Sequence, residues 1–355
     1  MVGISLLTLV PGVVGGTETY ARAICRALHE HGELEYNAFL PSLSPDAAGP
    51  MSSSVVAGYP ASAGTAGRLA AVARATYAPR SIASHMSTAG LRAMHFPLTT
   101  EVPRLQGIPT IVTVHDLQHL VLPAFFSRAE RMYRRLIYAP SIRRARAVIA
   151  ISQHVKNTVI ELLEIPAEKI TVSHFGLDHS TLKPDSFERE PFIIYPANRW
   201  PHKNHARLID ALDELRRTRP EMRLVLTGAG HDNMPAHDGV EILGLVPRDK
   251  LVRLYQTASA LVFPSLYEGF GQPPLEAMAC GCPVACSDAA ALPEVCGDAA
   301  RYFDPYDSAA IAEAMDHVLH NTEEYRARGI VRARGFTWEQ AARTHENVYE
   351  RVVAG

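Results

Sequence analysis

Apolar residues along the chain fall into two successive series of short runs, each alternating with stretches of helical period. The first series opens with Val2 to Leu9, a strand-like run that ends in the glycine-rich turn Pro11 to Gly16. A helix is expected from Glu18 to His29, where Thr17 can cap it and Ala21, Ile24, Cys25 and Leu28 share one face. Further strands are expected at Tyr36 to Leu40, Leu91 to Pro97, Thr110 to Val114, Ala147 to Ile151 and Ile170 to Phe175. The intervening helices are Arg68 to Tyr77, Arg128 to Ser141 and Ser152 to Leu163. Thr110 to Val114 is the kind of continuous β-branched run that suits a central parallel strand. The second series places strands at Phe192 to Pro196, Leu224 to Leu226, Val240 to Leu243 and Leu261 to Phe263. Its helices are Ala206 to Arg216, Leu251 to Thr257, Leu275 to Ala279, Ala309 to Leu319 and Trp338 to Val352. Alternation that starts twice predicts two Rossmann-like α/β domains in tandem. With the linker in the polar stretch Lys183 to Glu190, the expected division is 1–188, 189–335 and a last helix, 336–355, able to return to the first domain.

Composition agrees with this picture and narrows it. A chain of 355 residues is too long for one ordinary core. Its net charge of -2 provides no basic surface for general nucleic-acid binding. Cys25, Cys280, Cys282, Cys286 and Cys296 form no disulfide framework and read as free thiols, which suits a cytoplasmic protein. The opening residues lack a basic segment and read as strand and turn rather than a signal peptide, and no run is long enough to span a membrane. The arginine-rich helix Arg128 to Arg146 suits a solvated surface, the favoured reading, or peripheral contact with anionic lipid. Ser42 to Gly67, rich in Ser, Ala, Gly and Pro, is expected as a mobile surface loop, with recognition of a second substrate as the other reading.

The candidate chemistry centres on Leu261 to Val284. A buried strand breaks at Pro264-Ser265 into a polar loop, and Pro273-Pro274 open a helix. Glu268 and Glu276 bracket this corner; by themselves they are equally surface acids or a metal pair. Ligands of open α/β sheets bind at the carboxyl ends of strands, and helix-start amides there favour a phosphate. Lys203, close to another helix start, can meet a diphosphate or stay solvated. Gly228, in the turn Thr227 to Gly230, lies on a phosphate or nucleoside side. Gly15 and Gly16 serve a tight turn or a close backbone approach to a ligand. His115 ends the Thr110 to Val114 strand, where it can donate to a sugar hydroxyl or serve as a structural histidine bonded to Asp116.

The full segment PSLYEGFGQPPLEAMACGCPV, continued by Ser287 to Val295 and Gly297 to Ala300, resembles the donor-binding signature of the retaining, nucleotide-sugar-dependent glycosyltransferases of family 4. YPANRWPHKNH at Tyr195 to His205 and TVHDLQHLVLPAFFS at Thr113 to Ser127 resemble a branch often assigned as mannosyltransferases. The resemblance covers nearly the whole chain and implies the GT-B fold, two Rossmann-like domains facing each other across a cleft. It implies that Glu276 accepts the donor's ribose hydroxyls, and that Glu268 contacts the sugar near its 3- and 4-hydroxyls. Amides around Gly269, Phe270 and Gly271 hold sugar and diphosphate, and Lys203 neutralises the β-phosphate. Gly15 and Gly16 approach the donor, His115 lies near the sugar's 6-hydroxyl, and Leu245 and Val246 lie by the base. The implied catalytic set is Glu268, His115 and Lys203. Asn198 stands where many relatives carry an arginine of a two-cation clamp; Arg199 beside it compensates only if the loop turns.

The activity implied by the resemblance is that of a hexosyltransferase that needs no cofactor or metal. The donor leans to GDP-mannose; a UDP-hexose or deoxysugar is the rival, with a lipid-linked glycan, a polysaccharide or a small aglycone as hydroxyl acceptor. A non-catalytic nucleotide-sugar-binding protein is the alternative of another class.

Overall fold

The structure is a computed structural model, and it describes every residue except Val13, Val14, Ala63 and Ser87, together with the side chains of Thr65, Ala66 and Arg68. Two members of the expected Pro11 to Gly16 turn therefore lie outside the described residues. The chain divides into two units, Met1–Gly176 with Trp338–Gly355, and Leu177–Thr337.

Among the described residues the first unit holds seven strands: β1 (Val2–Ser5), β2 (Tyr36–Leu40), β3 (Ser53–Val55), β4 (Ala93–Phe96), β5 (Thr110–Val114), β6 (Ala147–Ala150) and β7 (Ile170–Val172). They form one parallel sheet in the order β3-β2-β1-β4-β5-β6-β7. The second unit holds six: β8 (Glu190–Pro196), β9 (Arg223–Thr227), β10 (Val240–Gly244), β11 (Ala258–Phe263), β12 (Val284–Ser287) and β13 (Ala300–Phe303). Their order, β10-β9-β8-β11-β12-β13, repeats the arrangement of the first sheet, again all parallel. In each sheet the strand order reverses beside the first strand, which makes β1/β4 and β8/β11 the topological switch points where such sheets bind ligands. Central strands such as β5 are buried along their whole length because helices cover both faces.

Several boundaries moved for identifiable reasons. The expected linker at Lys183 to Glu190 lies inside the second unit. That unit already begins at Leu177, whose N–H donates to the Phe336 carbonyl and which bridges Thr337. The expected excursion Ser42 to Gly67 contains β3, an edge strand of three residues. Thr17 is not a cap: the first helix runs Gly16–His31 with Gly15 at its N-cap, and Glu18 instead accepts the Gly12 N–H. Strands β12 and β13 and the helix Thr322–Arg334 were not expected. That helix is rich in charge, but Tyr325, Gly329 and Ala333 recur on one buried face. A Cβ on Gly329 would meet Met278 Cγ at 3.1 Å, so the missing side chain is what lets the two helices approach.

The last helix, Trp338–Ala354, belongs to the first unit and is tied there by a buried hydrogen-bond chain. His345 Nδ1 faces the Ala341 carbonyl at 2.7 Å, and a carbonyl only accepts, so Nδ1 carries the proton. With the ring neutral, Nε2 accepts from Tyr20 Oη (2.6 Å), Tyr20 from Thr113 Oγ1 (3.0 Å), and Thr113 from His95 Nε2 (2.8 Å). His95 Nδ1 in turn accepts from Tyr349 Oη at 2.8 Å. Once both rings are neutral, one carbonyl thus sets the direction of the whole chain. Burial keeps them so: it drives the His345 pKa down to about 4 and that of His95 well below its usual value. Glu346 adds a second tie by accepting from the Glu33 and Leu34 amides and from Tyr36 Oη.

Because these folded-state pKa values are depressed, the stability they contribute is fully present above the unfolded histidine pKa near 6.5 and is lost as pH falls towards 4. Between neutral pH and pH 5 the loss expected from His345 alone is about 2 kcal/mol. Denaturant titrations at the two pH values should show it, and His345→Gln should flatten the dependence while lowering stability at neutral pH.

Candidate active site

The loops after β8 and β11 flank the switch point of the second sheet, and they bring Lys203 and Glu268 together. After β8 the chain turns through Pro201–Lys203 into the helix His205–Arg216, with Asn204 at φ 60°. Asparagine tolerates this left-handed conformation better than most side chains. Its buried amide donates to the Pro264 and Pro305 carbonyls at 3.1 and 2.7 Å. Leu266 N–H donates to the His202 carbonyl, and Tyr195 Oη to that of Lys203 at 2.6 Å. These bonds fix the backbone on both sides of the pair. Lys203 Nζ then lies 2.6 Å from Glu268 Oε1 and 5.2 Å from the centre of the Phe263 ring, with about an eighth of either side chain exposed. A buried ion pair roughly breaks even against an apolar replacement, so stability alone gives little reason for this one.

Glu276 lies on the helix Gln272–Ala279 and is 4% exposed. Its carboxylate has four donors: Arg248 Nη2 and Gln272 Nε2 on Oε1, each at 2.9 Å, and Arg248 Nη1 at 2.9 Å and Tyr255 Oη at 3.2 Å on Oε2. Arg248 and Tyr255, which no sequence motif singles out, sit seven residues apart on one face of the helix Arg248–Thr257. A basic and an aromatic residue at that spacing, just before the strand that leads to Glu268, is the only local signal for them. Burial, and next the charge of Glu276, push the Tyr255 phenol well above its usual pKa, so it stays a donor.

The helix start is a poorer anion site than expected. Gly271 caps it at φ 103°, and a Cβ there would meet Leu292 Cδ2 at 2.6 Å. Pro273 and Pro274 follow Gln272, so two of the four amides that a helix start normally offers are missing. Phe270 is buried against Phe336, with ring centres 6.0 Å apart, so this residue faces the core and can offer a ligand only its backbone.

The remaining residues divide. Asn198 Oδ1 accepts from the Ala229 N–H at 2.8 Å, and Arg199 N–H donates to the Ala229 carbonyl at 2.9 Å. Asn198 is thus a clamp between the β8 and β9 loops. Arg199 is exposed, and its charge helps burial to lower the pKa of His231; burial and the neighbouring His231 bring His205 to about 4. Gly228 has φ 121°, and a Cβ there would lie 2.6 Å from the Ala197 carbonyl oxygen. Leu245 is 79% exposed and Val246 partly so, in the turn after β10.

In the first unit, Gly15 has φ 53° with open space where a Cβ would be, and Gly16 begins the helix. His115 is not bonded to Asp116. Its Nε2–H donates to the Pro97 carbonyl at 2.7 Å, while Asp116 accepts from the Gln118 N–H and, at 3.4 Å, from Arg134. Burial lowers the His115 pKa. The neutral ring therefore has its N–H spent on Pro97 and Nδ1 as an acceptor, where donation was expected. All five cysteines are free and buried.

Two Rossmann-like units, the second with cations paired to carboxylates beside a switch point, define an α/β protein of the kind that binds ligands at strand ends. The comparisons specify the class. Residues 181–335 match the model of group 1 glycosyl transferases, and residues 14–181 that of glycosyltransferase family 4. The chain is 30% identical over 268 residues to O-antigen chain mannosyltransferase B of Escherichia coli, covering 68% of this chain and 70% of that protein. It is 29% identical to O-antigen chain mannosyltransferase RfbU of Salmonella typhimurium, over 58% and 60% of the respective chains. Sucrose-phosphate synthase from Thermosynechococcus elongatus superposes with a TM-score of 0.79 at 18% identity, covering 99% of both chains. WaaG, a glycosyltransferase involved in lipopolysaccharide biosynthesis, gives 0.73 at 15% identity over the whole of both. The chain belongs to glycosyltransferase family 4, with the GT-B fold, and is a hexosyltransferase.

Gly228→Ala should cost about 2 kcal/mol or more, because the new methyl meets backbone and the conformation is strained. Urea denaturation against the wild type measures it.

Proposed function

We propose that the protein transfers mannose from GDP-mannose to an acceptor hydroxyl, with retention at the anomeric carbon and without a metal. The observation that carries the proposal is the Lys203–Glu268 pair at the β8/β11 switch point, with Glu276 one helix turn into the neighbouring helix. The mannosyltransferase relatives favour the sugar. In this reading the incoming sugar hydroxyls take the place of Lys203 on Glu268. The ammonium then turns to the β-phosphate, where negative charge grows as the glycosidic bond breaks. Because the prolines thin out the helix-start amides, this lysine carries more of that charge than it would beside a fully furnished helix start. The acceptor attacks from the face the nucleotide leaves, and its proton passes to a β-phosphate oxygen. Neither Glu268 nor any other carboxylate is assigned as a covalent nucleophile.

In a thermal-shift panel, GDP should stabilise the protein more than UDP, ADP or TDP, and equally with chelator or magnesium. Selective stabilisation by UDP would overturn the donor, and strict dependence on added metal the metal-free step. Lys203→Met should lower kcat by about a hundredfold or more, the scale of losing one preorganised donor.

Attachment to an anionic membrane surface belongs to the same proposal. No helix among the described residues is long and apolar enough to cross a membrane. The helix Arg128–Arg144 exposes Met132 (57%) and Leu136 (54%) on the side that carries Arg128, Arg135 and Arg143. Its one acid, Glu130, is held in the capping box with Ser127. Apolar side chains ringed by guanidinium groups suit an anionic headgroup layer. Flotation should recover the protein with vesicles containing phosphatidylglycerol and not with phosphatidylcholine alone; Met132→Ser with Leu136→Ser should abolish recovery. Equal recovery with both vesicle types would refute it.

A further inference from the structure

Arg248 occupies the acceptor sites that a donor's ribose would need. A carboxylate offers about four lone-pair positions, and Glu276 has four donors for them. A ribose 2′,3′-diol would bring two more, so it can bind Glu276 only if two leave. Tyr255 is fully buried, and Gln272 lies on the same helix as Glu276 and gives a single bond. Arg248 gives two bonds from one planar group, and its side chain is 48% exposed at the start of its helix, against 6% for that of Glu276. It is the donor that can withdraw into water without disturbing the core, and its departure frees one position on each carboxylate oxygen, the pair a vicinal diol would fill.

We propose that Arg248 is a displaceable placeholder for the ribose diol. In the donor-free protein it supplies the counter-charge that a carboxylate held away from water requires. On donor binding the two hydroxyls replace its two N–H groups and the guanidinium moves out. Arg248 thereby sets how strongly the site distinguishes a ribonucleotide from one lacking the diol, since each diol bond is gained against an arginine bond lost. This rests on the assignment of Glu276 to the ribose.

The test uses calorimetric titration of the full chain with whichever of GDP and UDP the thermal panel selects, and with its 2′,3′-dideoxy analogue. Arg248→Ala should tighten the ribonucleotide about three- to fivefold, the scale of a partly exposed ion pair, and leave the dideoxy analogue unchanged. Arg248→Lys, which keeps the charge but cannot reproduce the two-pronged geometry, should fall between. Weaker or unchanged ribonucleotide binding by Arg248→Ala would overturn the placeholder, as would equal tightening of both ligands. If ribo and dideoxy forms bind equally to the wild type, to Arg248→Ala and to Glu276→Gln, the ribose assignment itself fails.

Discussion

A carboxylate withdrawn from water must have its lone pairs filled, and this requirement organises the second unit. Glu268 sits in the loop that leaves the carboxyl end of β11, and Glu276 on the helix that this loop enters. Each has taken a cation: Arg248 for Glu276 and Lys203 for Glu268. The helix Arg248–Thr257 must then present Arg248 and Tyr255 on the face towards Glu276. The loop after β8 must stay in register with the loop after β11, and Asn204 enforces that register by bonding Pro264 and Pro305 together.

The sheet order makes these pairings possible. With β8 and β11 adjacent, two loops far apart in sequence open side by side, and Lys203 meets Glu268 across 65 residues. Close packing beneath the loops has its own glycine requirements. Gly228 and Gly271 hold positive φ where a Cβ would strike the Ala197 carbonyl and Leu292. Gly329 lets the charged helix Thr322–Arg334 lie on the helix that carries Glu276. That helix start is held by backbone geometry and prolines rather than by a capping side chain, at the cost of amides an anion could have used.

What was legible in the sequence was local. The β-branched run of β5 gave its own boundaries, and the repeated strand–helix alternation gave two parallel sheets. Glu268 and Glu276 stood out because one short corner holds both, and Lys203 because it begins a helix after a strand. Partners fixed by long-range contact left little trace. Arg248 is 28 residues from Glu276, Asn198 is 31 from Ala229, and the Tyr20–His345 bond spans 325. Strands β12 and β13 are four residues each, too short for periodicity to separate from turns, and β3 is an edge of three. The tautomer of His115 followed from a single carbonyl, that of Pro97, which no sequence pattern announces.

In the proposed reading, the two ion pairs also decide what kind of event donor binding is. Glu276 carries four donors and Glu268 holds the Lys203 ammonium, so a ligand that takes these positions exchanges bonds rather than adding them, and only the difference appears as affinity. Such exchange is costly for a ligand that merely resembles the donor, because it must break both pairs to seat itself while replacing fewer of their bonds. It would be less costly for a transition state in which the charge growing on the diphosphate gave the released Lys203 a stronger partner than the carboxylate it left. Binding energy withheld from the ground state is then available when the glycosidic bond breaks, which is where it raises kcat. The pairing that occupies the donor-free site would thereby direct its interactions towards catalysis.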